Sequence, residues 1–153
     1  MTIRKLLVSS CAVLLVAGMT AWADEPKDEI KLEGVKCIVA PRAAKADQSA
    51  EYKEGKVFFC CGNCPKKFAE APEKFTTVAN QQLVATGQYK QKTCPLSGGP
   101  LNPDTEIKVG DAKVAFCCPN CQGKVAAAEG KEQLELVFSE KAFEKAGFAK
   151  VKK

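Results

Sequence analysis

Two stretches of the chain alternate between apolar and polar residues, and each then changes to a helical period. In the first stretch, residues 51–53 and 56–60 predict the strands of a β-hairpin with its turn at Glu54 and Gly55. The second stretch predicts the same element, with strands at residues 106–109 and 112–117 and a turn at 110–111. β-branched and aromatic residues fill the returning strand of both hairpins, which favours packing of that strand against a core.

After each hairpin, apolar positions recur at the spacing of one helical face. The first half places four residues on such a face: Cys64, Phe68, Ala71 and Phe75. This spacing predicts a helix that begins near Cys64, and the second half repeats the pattern in weaker form from Cys121 onward. A further helical stretch closes each half. Residues 79–91 are polar enough to predict a linker helix between the two halves.

The cysteines indicate that the two halves are a tandem duplication. Four cysteines of the first half have partners 57 positions later, because 94−37, 117−60, 118−61 and 121−64 are all 57. Each half therefore has a predicted order of cysteine turn, β-hairpin, cysteine knuckle and helix. This order predicts a small α+β fold of two tandem units that resemble treble-clef zinc fingers, at residues 37–92 and 93–153.

The N-terminal residues 1–23 have the pattern of a secretory signal peptide. Arg4 and Lys5 precede a short apolar run, and Ala21 and Ala23 are small residues at the expected cleavage site. The run is shorter than the roughly 20 apolar residues that a membrane span needs. We therefore expect cleavage before Asp24, a flexible leader at residues 24–36, no membrane span in the mature chain, and a periplasmic or secreted location.

Composition narrows the classes of function. The chain of 153 residues has 23 basic residues, 18 acidic residues and no histidine. Loss of two basic residues with the signal peptide leaves 21−18, or a net charge of +3, and the charges are interspersed, which argues against nucleic acid as a partner. Without histidine, a glycine-rich phosphate loop or a carboxylate pair that can be placed in a cleft, we expect no enzyme. Units of about 60 residues also bury little surface and usually need metal or disulfide staples.

Four thiolates in each unit are suited to a soft metal ion. The candidate ligands are Cys37, Cys60, Cys61, Cys64, Cys94, Cys117, Cys118 and Cys121. All-sulfur coordination selects zinc, copper(I) or another soft metal ion over magnesium and calcium, so metal ions are the expected partner. A protein of the cell envelope is a further candidate partner.

Two details of these sites follow from local geometry. Adjacent strand residues point to opposite faces, so Cys60 and Cys61 reach one ion only if the backbone breaks there; otherwise three thiolates share the ion with another ligand. A helix N-terminus stabilises negative charge, which predicts a lowered pKa for Cys64 and Cys121.

Two other uses of the cysteines remain open at this point. Exported proteins use cysteines mainly in disulfides, and the eight cysteines that remain after Cys11 is lost with the signal peptide are an even number, so a disulfide-stabilised interaction scaffold is one alternative. A thiol redox protein is the other alternative, because the C-x2-C pairs Cys61/Cys64 and Cys118/Cys121 resemble thiol-exchange motifs. The tight clustering of four thiols per half and the poor geometry of adjacent cysteines for a disulfide favour metal.

The stretch "EGKVFFCCGNCPKKFAEAPEKF", residues 54–75, resembles the YHS/TRASH group of cysteine-rich domains. The shared features are F-C-x3-C after a glycine-containing hairpin and K-x-F-x3-P after it, and "CPLSG" at residues 94–98 is similar to the opening turn of the group. The tandem layout resembles exported proteins of planctomycete-type bacteria. The resemblance implies a treble-clef-like fold and metal binding in heavy-metal sensing or trafficking. It implies six ligands: Cys37, Cys60, Cys64, Cys94, Cys117 and Cys121.

Each half departs from this pattern at a different place. The first half has "CIVAP" at residues 37–41, without the glycine of the opening turn. The second half has Val125 and Glu129 where the first half has Phe68 and Pro72.

Overall fold

Each half of the chain folds into an antiparallel hairpin followed by helices in the computed structural model, which describes residues 30–152. The first half consists of β1 (Lys45–Tyr52), β2 (Gly55–Phe59), α1 (Asn63–Glu70), a 3-10 turn (Pro72–Phe75), α2 (Thr76–Ala85) and β3 (Tyr89–Lys90). The second half consists of β4 (Asn102–Val109), β5 (Ala112–Phe116), α3 (Pro119–Ala126), α4 (Gly130–Phe138), α5 (Glu140–Lys145) and β6 (Ala149–Lys150). None of the helices in this part of the chain is long and apolar enough to cross a membrane.

The predicted signal peptide, residues 1–23, lies outside the described residues, as do residues 24–29 of the predicted leader. The last residues assigned to that leader pack against the fold. Val35 is only 4% exposed, and Lys36 forms a β-bridge with Ala43. Contacts of the first half therefore start before Cys37.

The two hairpins have the same register at the offset seen in the cysteines. Lys45 pairs with Phe59 at one end of the first hairpin. Asn102 pairs with Phe116 in the second, and 102−45 and 116−59 are both 57. Both β1 and β4 carry a register shift after this pair. The duplication in sequence is thus a duplication in backbone geometry.

The turn of the first hairpin lies one residue earlier than predicted. It is formed by Lys53 and Glu54, whose φ angles are 46° and 62°, and Gly55 already belongs to β2. Two consecutive positive φ angles match the right-handed twist of a two-residue hairpin loop. The second hairpin turns at Gly110 and Asp111, as predicted.

The predicted helical face from Cys64 to Phe75 is divided between two elements. Helix α1 ends at Glu70, and Ala71 leaves the helical region with φ −151° and ψ 66°. Pro72 explains the break, because proline disfavours the α conformation of the residue before it. Phe68 and Phe75 nevertheless pack together, with ring centroids 6.2 Å apart.

The two halves share one hydrophobic core. Helix α2 of the first half packs against α4 and β5 of the second, and β3 pairs with β6. Fully buried side chains come from both halves and include Val57, Phe59, Leu83, Val114, Phe116 and Phe138. The apolar mass is therefore not divided into two small cores that each depend on a staple.

The prediction of a polar linker helix at residues 79–91 is correct for the helix but wrong for the linker, because residues 79–85 are helical as part of α2 and residues 79–83 are buried. Asn80, Gln82 and Leu83 of α2 are 0%, 2% and 0% exposed, at the centre of the molecule. Their polar groups are tolerated because they are hydrogen-bonded; Asn80 Nδ2, for example, donates to the carbonyl of Phe138 at 3.0 Å. The segment is a central element that both halves contact.

Candidate metal centre

Three cysteines converge in each half of the chain. Site one consists of Cys37, Cys60 and Cys64, and site two consists of Cys94, Cys117 and Cys121. Within each site all sulfur atoms lie within 4.8 Å of one another. These six residues are the ones that the family resemblance implied as ligands.

Each site takes its three sulfurs from three different elements. In site one, Cys37 follows the β-bridge at Lys36, Cys60 follows the last residue of β2, and Cys64 lies in the first turn of α1. Site two repeats the arrangement with the loop after Thr93, the end of β5 and the first turn of α3. The hairpin and the following helix therefore fix the spacing of the sulfurs.

The distances between sulfur atoms match those of ligands to a shared ion. Cys60 Sγ is 3.7 Å from Cys64 Sγ, and Cys117 Sγ is 3.6 Å from Cys121 Sγ. Tetrahedral zinc with zinc–sulfur distances of 2.3 Å places its sulfurs about 3.8 Å apart. A disulfide bond is much shorter, at about 2.05 Å. All eight cysteines of residues 30–152 are free thiols.

The fourth cysteine of each half lies beside two sulfurs of its site: Cys61 beside those of Cys60 and Cys64, and Cys118 beside those of Cys117 and Cys121. Cys61 Sγ is 3.5 Å from Cys64 Sγ, and Cys118 Sγ is 3.6 Å from Cys117 Sγ. Neither belongs to the set in which all sulfurs lie within 4.8 Å. The structure thus brings together six of the eight predicted ligands and leaves Cys61 and Cys118 at the edges.

Backbone N–H groups stabilise the first sulfur of each site. Burial raises the pKa of Cys37, but backbone hydrogen bonds outweigh this effect and lower the pKa overall. One of them runs from the Val39 N–H to Cys37 Sγ at 3.5 Å. The donors are Val39, Ala40 and Cys60 in site one and Leu96, Ser97 and Cys117 in site two. Each pair of donors is again 57 residues apart, so both loops favour a thiolate in the same way.

The first loop closes without the glycine of the second. In site two, Gly98 adopts a φ of 76°, and its N–H donates to the carbonyl of Cys94 at 2.8 Å. The corresponding residue in site one is Pro41, flanked by a hydrogen bond from the Arg42 N–H to the Ala40 carbonyl at 2.7 Å. This three-residue turn suits the fixed φ of proline. A different turn therefore presents Cys37 in an equivalent position.

The predicted lowering of the pKa at the helix starts is wrong. The pKa of Cys64 and that of Cys121 are both raised, to about 12. Burial is the main cause, and hydrogen bonds from these thiols to neighbouring sulfurs add to it. In the metal-free cluster, burial together with competition between the sulfurs for negative charge outweighs the effect of the helix dipole. A bound cation removes the competition, because coordinated thiols lose their protons.

Site two has a hydroxyl group that site one lacks. Ser97 Oγ lies 3.1 Å from Cys117 Sγ and accepts a hydrogen bond from the Gly99 N–H, so its own hydrogen is free to donate to sulfur. Burial raises the pKa of Cys94, but hydrogen bonds from the Ser97 side chain and from the backbone lower it to about 6. Residue 40, at the equivalent position of site one, is alanine.

Two glutamines brace the strands that lead into the sites, and sequence analysis missed them. The Gln82 Oε1 accepts from the Phe58 N–H at 2.6 Å, and its Nε2 donates to the carbonyls of Phe58 and Lys36 at 3.0 and 2.8 Å. Phe58 and Lys36 are two residues and one residue before Cys60 and Cys37. The Gln82 amide thereby links the end of β2, before Cys60, to the β-bridge residue before Cys37.

Gln91 performs the same task in site two. It accepts from the Ala115 N–H at 2.9 Å and donates to the Ala115 carbonyl at 2.7 Å and to the Thr93 carbonyl at 3.4 Å. Ala115 and Thr93 are 57 residues after Phe58 and Lys36. The two glutamines are nine positions apart rather than 57, so an alignment of the two repeats does not pair them. In the sequence, the one local indication that Gln82 is buried is its position next to the apolar residue Leu83.

Comparison with known proteins adds no further assignment: no family model, no curated protein and no solved structure matches the chain. The chemistry of the site therefore has to be derived from its geometry. Three sulfurs at ligand spacing, with N–H groups directed at one of them, can hold a soft metal ion in each half.

Proposed function

We propose that this protein is an exported, non-enzymatic metal-binding protein that carries one soft metal ion, zinc or copper(I), in each of two cysteine sites. The observation that carries the proposal is the pair of cysteine triads, each within 4.8 Å, assembled from matching elements 57 residues apart. Both copies of the duplication keep the three converging sulfurs although other positions differ between them, such as Phe68 and Val125.

The ligands in this proposal are the six triad cysteines. When bound, the ion is a soft Lewis acid that keeps these thiols deprotonated. The backbone N–H groups near Cys37 and Cys94 offset part of the negative charge of three thiolates. Gln82 and Gln91 hold the strands in place around the ion.

The shared hydrophobic core supports a role for the metal as cargo. A scaffold metal is needed when a domain is too small to fold by burying its own apolar residues. Here the two halves bury their apolar side chains together, between α2, α4 and both hairpins. The fold has its own source of stability, and the ions are free to serve trafficking or sequestration.

Two features of the sequence support the proposed location and the proposed metal-binding role. The signal-peptide pattern at residues 1–23 supports export to the periplasm or the medium. The resemblance to tandem YHS/TRASH domains supports heavy-metal binding, with a treble-clef-like unit in each half. A protein of the cell envelope then donates or accepts the ions.

Loading with metal tests the proposal. The reduced protein is loaded with Zn²⁺, freed of excess metal and assayed for bound zinc, together with Cys37→Ser, Cys94→Ser and the double variant. We expect two ions per chain in the wild type, one in each single variant and none in the double variant. Absence of bound zinc in the reduced wild type, or two ions in the double variant, contradicts the proposal.

A thiol redox function is the second candidate, because Cys61 has two properties of a redox nucleophile. It is exposed, and hydrogen bonds from the backbone N–H of Asn63 and from Cys64 lower its pKa to about 7. Its sulfur lies 3.5 Å from that of Cys64, within reach of disulfide formation. Reduction of a disulfide substrate by the metal-free protein, lost in Cys61→Ser, supports this candidate; no turnover excludes it.

A further inference from the structure

The two sites differ in how far their sulfurs are enclosed. In site one, Cys37 and Cys64 are 5% and 6% exposed, and Cys60 is half-buried. Cys61 is exposed, and its sulfur is 3.5 Å from that of Cys64. Cys61 is therefore the one fully exposed thiol at site one, Cys60 is partly accessible, and Cys37 and Cys64 are shielded from an incoming molecule.

Site two is more open. Cys94 is 0% exposed, but Cys117 and Cys121 are both half-buried, so two of its three sulfurs are accessible from solvent. Its fourth thiol, Cys118, is also only half-buried; it lies 3.6 Å from Cys117 and also contacts the helical Cys121. An acceptor can reach two of the three sulfurs of site two without the help of Cys118.

Access matters because a soft ion moves between thiolates by ligand substitution. The acceptor sulfur binds before a protein sulfur leaves, so that the ion is never released bare into water. As in thiol–disulfide exchange, the sulfur that takes part has to be reachable by the partner. Buried sulfurs cannot take part directly, whereas an exposed sulfur next to them can.

We propose that Cys61 is the exchange thiol of site one: it takes the ion over from the triad, in which only Cys60 is partly accessible, and presents it to an incoming thiol, while site two exchanges its ion directly. This inference rests on the proposed metal-binding function. In the transfer, a bond from the ion to Cys61 forms as the bond to a triad sulfur breaks, and the acceptor thiolate then displaces Cys61. Further acceptor thiols replace the two remaining triad sulfurs one at a time, until the ion is released from the site. Each thiol that binds gives a proton to solvent, each thiolate that leaves takes one up, and the charge of the ion does not change.

The alternative role for Cys61 is that of a permanent fourth ligand, and the two roles predict opposite effects of its removal. Removing a permanent ligand weakens the site and accelerates release of the ion. Removing an exchange thiol leaves the triad intact and slows release. The sign of the change in rate therefore separates the two roles.

The experiment compares Cys61→Ser with Cys118→Ser as its matched control. Reduced protein loaded with Zn²⁺ is mixed with glutathione and a chromogenic zinc chelator, and release is followed in time. The wild type is expected to release one ion fast, from site two, and one slowly, from site one. Cys61→Ser is expected to retain two ions and to slow the slow phase by about tenfold or more, whereas Cys118→Ser leaves that phase unchanged.

Three results overturn the inference while leaving the proposed function intact. They are faster release from Cys61→Ser, loss of one of its two ions, and an unchanged slow phase in that variant. Failure of the wild type to bind zinc is a separate outcome, because it contradicts metal binding itself before any variant is compared.

Discussion

The Gln82 amide is the part of the structure whose removal should reveal most about how site one is held. It hydrogen-bonds the N–H and carbonyl of Phe58 and the carbonyl of Lys36, and the side chain is 2% exposed. Gln82→Met keeps the length of the side chain and removes all three bonds. The backbone groups of Phe58 then remain buried without a partner.

The expected cost follows from these groups. An unpaired buried backbone group costs about 1–3 kcal/mol, and Gln82→Met leaves two on Phe58, so we expect a loss of about 2–6 kcal/mol in the free energy of unfolding. The carbonyl of Lys36 adds little, because this residue is exposed and water can replace the amide.

Gln88 provides a matched control. The side-chain amide of Gln88 forms hydrogen bonds with the N–H and the carbonyl of Lys56, both at 2.7 Å. These groups are exposed, so water can replace the amide as their hydrogen-bond partner. We expect Gln88→Met to cost less than about 1 kcal/mol. Urea unfolding of the reduced, metal-free proteins measures both values. Losses that agree within about 0.5 kcal/mol would refute the assignment of Gln82 as a buried brace.

Gln82→Met also tests whether the hydrogen bonds of Gln82 affect metal binding at site one. Gln82 acts on the strands before Cys37 and Cys60, and Gln91 acts on those of site two. Gln82→Met should therefore weaken zinc binding in site one by about tenfold and leave site two unchanged, as measured by competition with a chelator in the folded protein. Equal weakening of both sites would indicate a general loss of structure instead.

Three other predictions follow from the structure. Removal of metal by a chelator under reducing conditions should leave the far-ultraviolet circular dichroism of the protein essentially unchanged, because we expect the shared core to fold without the ions. Collapse of the signal would show a scaffold metal. Ser97→Ala removes the hydroxyl near Cys117, so we expect zinc binding at site two to weaken by about tenfold. The pH at which site two is half-loaded with zinc should also move upward, because loss of the Ser97 hydrogen bond raises the pKa of Cys94. An unchanged pH profile contradicts this role of Ser97. The hydrogen bond from Lys53 lowers the pKa of Glu140, so Glu140→Gln should cost at most about 1 kcal/mol at neutral pH, since the pair is partly exposed. This contribution is present above the unfolded pKa of the carboxyl and disappears as the pH falls through the lower folded value, so the unfolding free energies of the variant and the wild type should converge in acid.

The repeat in the sequence made the local structure of each site predictable. An offset of 57 that four cysteine pairs share predicts two equivalent hairpin–knuckle–helix units, and the matched registers confirm that the two hairpins are equivalent. Alternation around Gly110 placed the second turn correctly. The first turn was misplaced by one residue, because Lys53 and Glu54 adopt positive φ angles that favour glycine and that sequence does not suggest for them.

The contacts between the halves could not be predicted from the repeat. Residues 79–91 have the composition of an exposed linker, and only the tertiary structure supplies the backbone partners that allow Asn80 and Gln82 to be buried. The pKa of Cys64 was mispredicted for a similar reason, since burial and neighbouring sulfurs outweigh its place at the start of a helix. Interactions between secondary-structure elements determine both the burial of α2 and the raised pKa of Cys64.

X-ray absorption spectroscopy of the zinc-loaded protein tests the central claim most directly, because it reports which atoms surround the ion. Convergence of three sulfurs in each site predicts an inner shell dominated by sulfur at about 2.3 Å, with two ions per chain. An inner shell of oxygen and nitrogen alone, in protein whose cysteines are reduced, would contradict the claim that these triads hold the metal.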